Sequence, residues 1–268
     1  MKELDRYQFK DASSGLAKAE RKLFVHNKQK SLVVIRNDLE TFRYPEIVGL
    51  KLEQINPFVK AVDLRSIFEE HHPYWRGELL EVAKQAKEKE IIGGSIYTSL
   101  VPSDFVTYYQ PTNATVIKEA LPWWYEFFTK ELRFLVERAT GDPTVYLGKG
   151  PSAFNINYTQ EGPYELHYDR NDDTAVIAVE DVEENVGGIL RIHERFDYLR
   201  RIPVGRSFDI RPKAGFGYIF NGRIRPHEVT PYRGRTPRTV IPVDFHNENR
   251  PEVLEDEVDR GVGVSDAA

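Results

Sequence analysis

From Thr144 to Phe245 the chain breaks into eight short β-prone runs: "TVYLG", "AFNINY", "TAVIAVE", "GGILRI", "SFDIR", "FGYIF", "PHEVT" and "RTVIPVDF". Gly, Pro and Asn/Asp separate them, the residues that close turns between strands. Runs this brief bury little as single strands, so the pattern predicts strands paired into a double-sheet jelly roll or barrel. Upstream the texture is different. Between Asp63 and Glu90, Trp75, Leu79, Val82, Ala83 and Ala86 recur at helical spacing behind Pro73, a residue suited to a first helical turn. "PWWYEFFTKELRFLVERATG" predicts a second helix, opening near Pro122 and stopped by Gly141, with Trp123, Trp124, Phe127, Phe128 and Phe134 as core rather than cofactor box. A short strand is expected over Ser31–Asp38. The layout is an α+β chain in four stretches. Residues 1–20 are expected to be flexible, 21–142 form a helical support or lid region, 143–246 the jelly-roll core, and 247–268 an acidic, mobile tail.

Composition narrows the chemistry. With 40% hydrophobic residues, the chain of 268 has enough apolar material for one large domain. A net charge of −5 gives no general pull toward nucleic acid or an anionic membrane, and neither is expected as a partner. No run of about 18 apolar residues offers a membrane span, and "MKELDRYQFKDASSGLAKAE" does not read as a signal peptide. The absence of cysteine removes thiolate nucleophiles and Cys-based zinc or iron–sulfur sites, and fits a cytoplasmic setting. Any metal must be held by carboxylates and by some of the seven histidines.

Taken singly, most of those histidines have plain readings. His26 is flanked by Asn and Lys and reads as solvated; His71 and His72 precede Pro73 and read as surface residues; His246 has no obvious partner. His193, at the end of "GGILRIHE", suits a rim or substrate contact or a structural role equally well. His167 and His227 remain. In "NYTQEGPYELHYDRND", His167 and Asp169 stand two apart, which on a strand points both to one face. His227, behind Pro226 in "RIRPHEVT", can meet them across two facing sheets. Two imidazoles and one carboxylate form the facial triad of non-haem Fe(II) oxygenases. On spacing alone, a polar turn at His167 and a satisfied core or edge histidine at His227 is an equally available account.

The flanking residues add a resemblance. "NYTQEGPYELHYD" is similar to the stretch of collagen-type prolyl 4-hydroxylases that runs Asn-Tyr, Gly, Tyr-Glu, His-x-Asp, with Tyr158, Gly162, Tyr164, Glu165, His167 and Asp169 in register. "GGILRI", "PKAGFGYIF" and "RPHEVTPY" look like the matching pieces of oxygen-sensing prolyl hydroxylases. The chain therefore resembles the Fe(II)/2-oxoglutarate-dependent dioxygenase superfamily over roughly 154–245, and no further upstream. That resemblance implies a double-stranded β-helix, Fe(II) held by His167, Asp169 and His227, and 2-oxoglutarate and O2 as co-substrates, with release of succinate and CO2. It also implies a basic residue after the distal histidine to bind the far carboxylate of 2-oxoglutarate. Arg238 keeps the family's distance to Ile241 and is preferred; Arg235 competes, because the segment after His227 is slightly longer than usual. Tyr158 is the expected second partner of the co-substrate, against a plain core-tyrosine reading. Related halogenases carry a small residue where this chain has Asp169, so hydroxylation is expected rather than halogenation.

For the substrate, Arg223 and Arg225 share the parity of His227 if "RIRPH" is extended, and Arg191 in "GGILRI" is placed to join them. Inward arginines of this kind suit a carboxylate or phosphate; a solvated loop is the plain alternative. The expected substrate is a small molecule, an amino acid or natural-product intermediate, with the upstream half covering the pocket. A peptidyl-prolyl hydroxylase acting on a protein is the second reading, and a non-catalytic metal-binding β-barrel the third.

Overall fold

The computed structural model describes residues 42–85, 89–92, 106–141, 144–146, 155–169, 172–200 and 202–247. The strand expected over 31–38, His26, the first twenty residues and the tail beyond Asn247 lie outside that set. Twelve strands are described: β1 Leu52–Asn56, β2 Val59–Asp63, β3 Lys89–Ile92, β4 Val106–Asn113, β5 Thr144–Tyr146 and β6 Asn155–His167, then β7 Asp173–Ala178, β8 Leu190–Asp197, β9 Ile202–Ile210, β10 Phe216–Phe220, β11 His227–Tyr232 and β12 Arg238–Asn247. The eight runs read from sequence correspond to β5–β12. All pairings are antiparallel, in the order β1-β2-β10-β7-β12-β6-β11-β8-β9, with β4 on β6, β3 on β4 and β5 on β12.

One strand joins two layers. β6 pairs with β12 over Asn157–Thr159 and with β11 from Gly162 to His167, so it leaves one layer and enters the other at Gly162-Pro163. Those two residues weaken a ladder and favour such a change of course. Between the layers lies an apolar interior that includes Val59, Val176, Ala178, Leu190, Ile192, Tyr218, Phe220 and Val240. β7 is buried along its whole length, which its continuous apolar run anticipates. Val176 and Ala178 face the interior, whereas Ala175 and Ile177 join a second core on the opposite side.

That second core belongs to the helices: α1 Arg65–His71, α2 Trp75–Gln85, α3 Ala114–Ala120, α4 Pro122–Phe127 and α5 Arg133–Thr140. Trp124, Phe127, Phe128 and Phe134 are fully buried, and Phe128 reaches Phe245 of β12 with ring centres 5.9 Å apart. At about 2–3 kcal/mol for each large apolar side chain removed from water, this layer fastens the helices to the sheet. Gly141, left-handed at φ 83°, ends α5 and donates its N–H to Glu137 O at 2.8 Å. Among the described residues no helix is long and apolar enough to cross a membrane.

The region expected to be helical departs from that expectation in several places. Residues 52–63 form the β1–β2 hairpin, 89–92 form β3 and 106–113 form β4, so this segment supplies strands as well as helices. The helix expected over 63–90 is two helices, broken at His72, with Asp63 ending β2. His72, read as a surface residue, packs its ring 3.9 Å above Trp123 and sets Nε2 2.5 Å from the Tyr44 hydroxyl. Burial pulls it down to about 4, so it is neutral near pH 7. His246, read as partnerless, is fully buried on β12 with Nδ1 3.8 Å from Asp172 Oδ2.

Between α4 and α5 the helix widens to a π turn over Phe128–Leu132. Glu131 projects from it into the core, where one oxygen accepts the Arg43 N–H at 2.8 Å and the other has no partner among the described residues. Burial pushes its carboxyl up to about 7. The folded state therefore holds a proton that the unfolded chain releases above about 4.5. Stability from this group is fully present below that value and is lost as pH rises through 7. Glu131→Gln keeps the carbonyl acceptor and cannot ionise. We expect the stability difference between variant and wild type to grow in the variant's favour by up to ~3 kcal/mol from pH 5 to pH 8 in urea titrations. A difference that stays flat with pH would refute it.

Candidate metal centre

The register of β6 against β11 sets His167 directly opposite His227. Both rings project from that pair on one side, their centres 4.2 Å apart. Asp169 follows just past the end of β6, and its N–H donates to Gly222 O at 3.0 Å, tying the end of β6 to the turn after β10. Its carboxylate lies between the rings: Oδ1 is 3.3 Å from His167 Nε2 and Oδ2 3.4 Å from His227 Nε2. One ligand atom from each residue falls within 4.8 Å of the others. Phe220 and Tyr164 stand edge-on against His227 and His167, each at 4.9 Å between ring centres.

The donors are prepared for a cation. His227 Nδ1 is 2.9 Å from Arg225 O; a carbonyl only accepts, so Nδ1 carries a proton and donates it there, which leaves Nε2, the nitrogen toward Asp169, as the atom a metal would take in exchange for its proton. Burial pushes the Asp169 carboxyl upward, but the charges and hydrogen bonds of His227 and His167 outweigh it and hold it well below the usual range. Burial alone lowers His227, and the Asp169 carboxylate reverses that shift. Three convergent donors, one anionic, fit a divalent metal with positions left open for other ligands.

Two residues not singled out by sequence shape this carboxylate. Thr174 O–H donates to Asp169 Oδ2 at 2.5 Å. Gly222 passes so close that a Cβ there would overlap the Asp169 carboxylate and the Thr174 hydroxyl. The glycine is required for space, not for backbone freedom. "FNGR" signals a turn, but only the folded approach shows what the turn must leave empty.

The other expected site residues separate. Arg238 opens β12 opposite Thr159, buried, with the parity of Val240 and hence toward the interior. Its Nε donates to Gly188 O at 2.9 Å, no carboxylate partners it among the described residues, and burial lowers it to about 10. Arg235 is exposed in the preceding turn. Tyr158 stands opposite Thr239; its side chain lies outside the described set. Arg191 faces away from the ligands: it pairs with Asp209 at 2.6 Å and stands opposite Glu228, on the other face from His227. His193 shares that face, buried between Ser207 Oγ at 2.7 Å and Glu228 Oε1 at 3.2 Å. The extended "RIRPH" is corrected as well. Arg225 N–H donates to Asn221 O at 3.2 Å, closing a turn, so Arg223 and Arg225 are not strand neighbours of His227. Arg223 lies 3.9 Å from Asp172, and Arg225 stacks on Phe58.

No protein-family model and no curated protein matches the chain. Solved structures do. SnoK, a non-haem α-ketoglutarate-dependent carbocyclase from nogalamycin biosynthesis, superposes with a TM-score of 0.50 at 14% identity, over 70% of this chain and 79% of its own. The chain shares its fold with that enzyme. That is a likeness of fold; the resemblance to the 2-oxoglutarate oxygenases rests on the motifs themselves. The epimerase SnoN, solved with Fe3+, α-ketoglutarate and nogalamycin RO, matches at 0.47 and 13% identity over 70% of this chain and 78% of its own. A prolyl 4-hydroxylase from Phytophthora capsici matches at 0.45 and 12% over 90% and 69%. At these identities the likeness is one of fold.

Thr174→Val, which removes the hydroxyl at nearly constant shape, and Gly222→Ala, which crowds the carboxylate, are each expected to weaken Co(II) affinity roughly 10–100-fold. Thr174→Ser should retain most of it. Calorimetric titration of the folded variants checks this, and unchanged affinity in Gly222→Ala would contradict the packing argument.

Proposed function

We propose that this chain is an Fe(II)- and 2-oxoglutarate-dependent oxygenase that hydroxylates an unactivated C–H bond of a small molecule. The carrying observation is the convergence of His167, Asp169 and His227 in a layered interior that also holds Arg238, a buried cation lacking a carboxylate partner among the described residues. Strand order supports a double-stranded β-helix: β10-β7-β12-β6 in one layer and β6-β11-β8-β9 in the other.

Each residue then has a task. Asp169 brings the negative charge that fixes a divalent ion, while Thr174 occupies one of its oxygens. His227 and His167 offer neutral nitrogens, the former held in its tautomer by Arg225 O. Iron bound there would use 2-oxoglutarate and O2 to oxidise the substrate C–H, with release of succinate and CO2. Arg238 supplies a planar fork of donors for the distal carboxylate of 2-oxoglutarate, in a site where burial strengthens the pairing. Arg235, exposed in a turn, lacks that environment. Tyr158 is retained as the second partner of the co-substrate, on the family resemblance. A small substrate is favoured over a peptide because the β1–β2 tip crosses toward the second layer, Phe58 meeting Phe208 with ring centres 5.4 Å apart. This contact walls one side of the interior.

Anaerobic addition of Fe(II) and 2-oxoglutarate should give the visible charge-transfer band of the chelate. His227→Ala should abolish it. Arg238→Gln should raise the 2-oxoglutarate concentration needed by about tenfold or more, and Arg235→Ala should not. Folded wild-type protein without a band would overturn the assignment; an effect at Arg235 instead would move the anchor. Coupled succinate release with a product carrying one added oxygen identifies hydroxylation.

A further inference from the structure

The ligand pair begins a row that crosses the second layer. His167 stands opposite His227, His227 opposite Ile192, and Ile192 opposite Phe208. Side chains directly opposite in an antiparallel ladder share a face, so all four line the same side. Phe208 meets Phe58 edge-on, and the Arg225 guanidinium lies 4.1 Å from the centre of the Phe58 ring. A continuous wall therefore runs from the metal ligands through Ile192, Phe208 and Phe58 to a single cation.

That cation differs from its neighbours. Arg191 is neutralised by Asp209, Arg206 approaches Glu194 at 3.5 Å, and Arg223 has Asp172. Arg225 has no carboxylate within 4 Å among the described residues. One of its nitrogens, Nη1, donates to Glu194 O at 3.0 Å while the ring supports the plane from one side. Stacking and this bond hold the side chain still, yet further N–H donors remain. A half-buried, pre-positioned guanidinium of this kind loses little freedom when it binds an anion, and its fork geometry suits a carboxylate or phosphate.

We propose that Arg225 anchors the acidic group of the substrate, an organic acid whose apolar body lies on Phe58 and Phe208 with its reacting carbon toward His167 and His227. This rests on the oxygenase reading of the site and narrows its substrate to anions.

The test uses full-length protein saturated anaerobically with Fe(II) and 2-oxoglutarate, so that Arg238 is already occupied and the chelate band reports on the iron. Benzoate, phenyl phosphate and neutral benzamide are titrated separately. At least one anion should perturb the band saturably, with benzamide weaker by about tenfold or more. Arg225→Gln should leave the band intact and abolish that preference, and Phe58→Ala, which removes the support, should weaken the anion in the same sense. Which anion binds better decides between carboxylate and phosphate. An intact band with no anion binding, equal binding of benzamide, or an unchanged preference in Arg225→Gln would overturn the proposal alone. Absence of the band in wild-type protein would bring down the oxygenase reading with it.

Discussion

The register between β6 and β11 is the constraint on which the centre depends. Because His167 and His227 face each other across that ladder, a slip of one residue would turn one imidazole to the opposite face. The register is defended from several directions. β6 is committed to β12 before it meets β11, and β11 is held on its other side by β8. The Asp169–Gly222 backbone bond then closes the end of the pair. Sheet pairing thus sets His167 against His227, and the turn at Gly222 sets Asp169 between them.

Burying charge at such a place is costly unless each charge is answered. Asp169 is answered by two imidazoles and the Thr174 hydroxyl. Arg238 has a backbone carbonyl but no acid among the described residues, and Glu131, in the helical core, has its carboxyl pushed up to about 7, so that it holds its proton in mildly acidic solution. These are three solutions to one problem: neutralise by partners, leave an opening for a ligand's charge, or keep the proton.

Much of this was legible in the sequence, and the failures have causes. Strands after Thr144 announced themselves because their apolar runs are bounded by Gly, Pro and Asn; "FGYIF" coincides with β10 and "PHEVT" opens β11 at the ligand itself. The aromatic segment from Pro122 was legible for the same reason, a strong period with clear stops. β1 was not, since its middle three residues are exposed and carry no alternation. Parity misled at Arg223 and Arg225 because Asn221 and Gly222 start a turn before the arginines, and strand logic stops there. Arg191 proved to face away from the candidate ligands, and His193 sits in the structural setting that was one of its two readings, because a run of strand residues does not say which face meets the site. Gly222 and Thr174 matter through approach between separate segments, which no single stretch of sequence displays.

The β1–β2 hairpin carries one further consequence. The candidate metal ligands all lie between His167 and His227, whereas Phe58 comes from a hairpin far upstream that docks on the sheet through β2 and β10. The rest of the wall that Phe58 completes, Ile192, Phe208 and Arg225, lies in the same stretch as the candidate ligands. Changes at the tip Pro57-Phe58 alter that one ring without touching the pairing of His167 with His227. Shortening the chain past Asp63, in contrast, would strip β10 of its outer neighbour and leave Phe220, which braces His227, on an open edge.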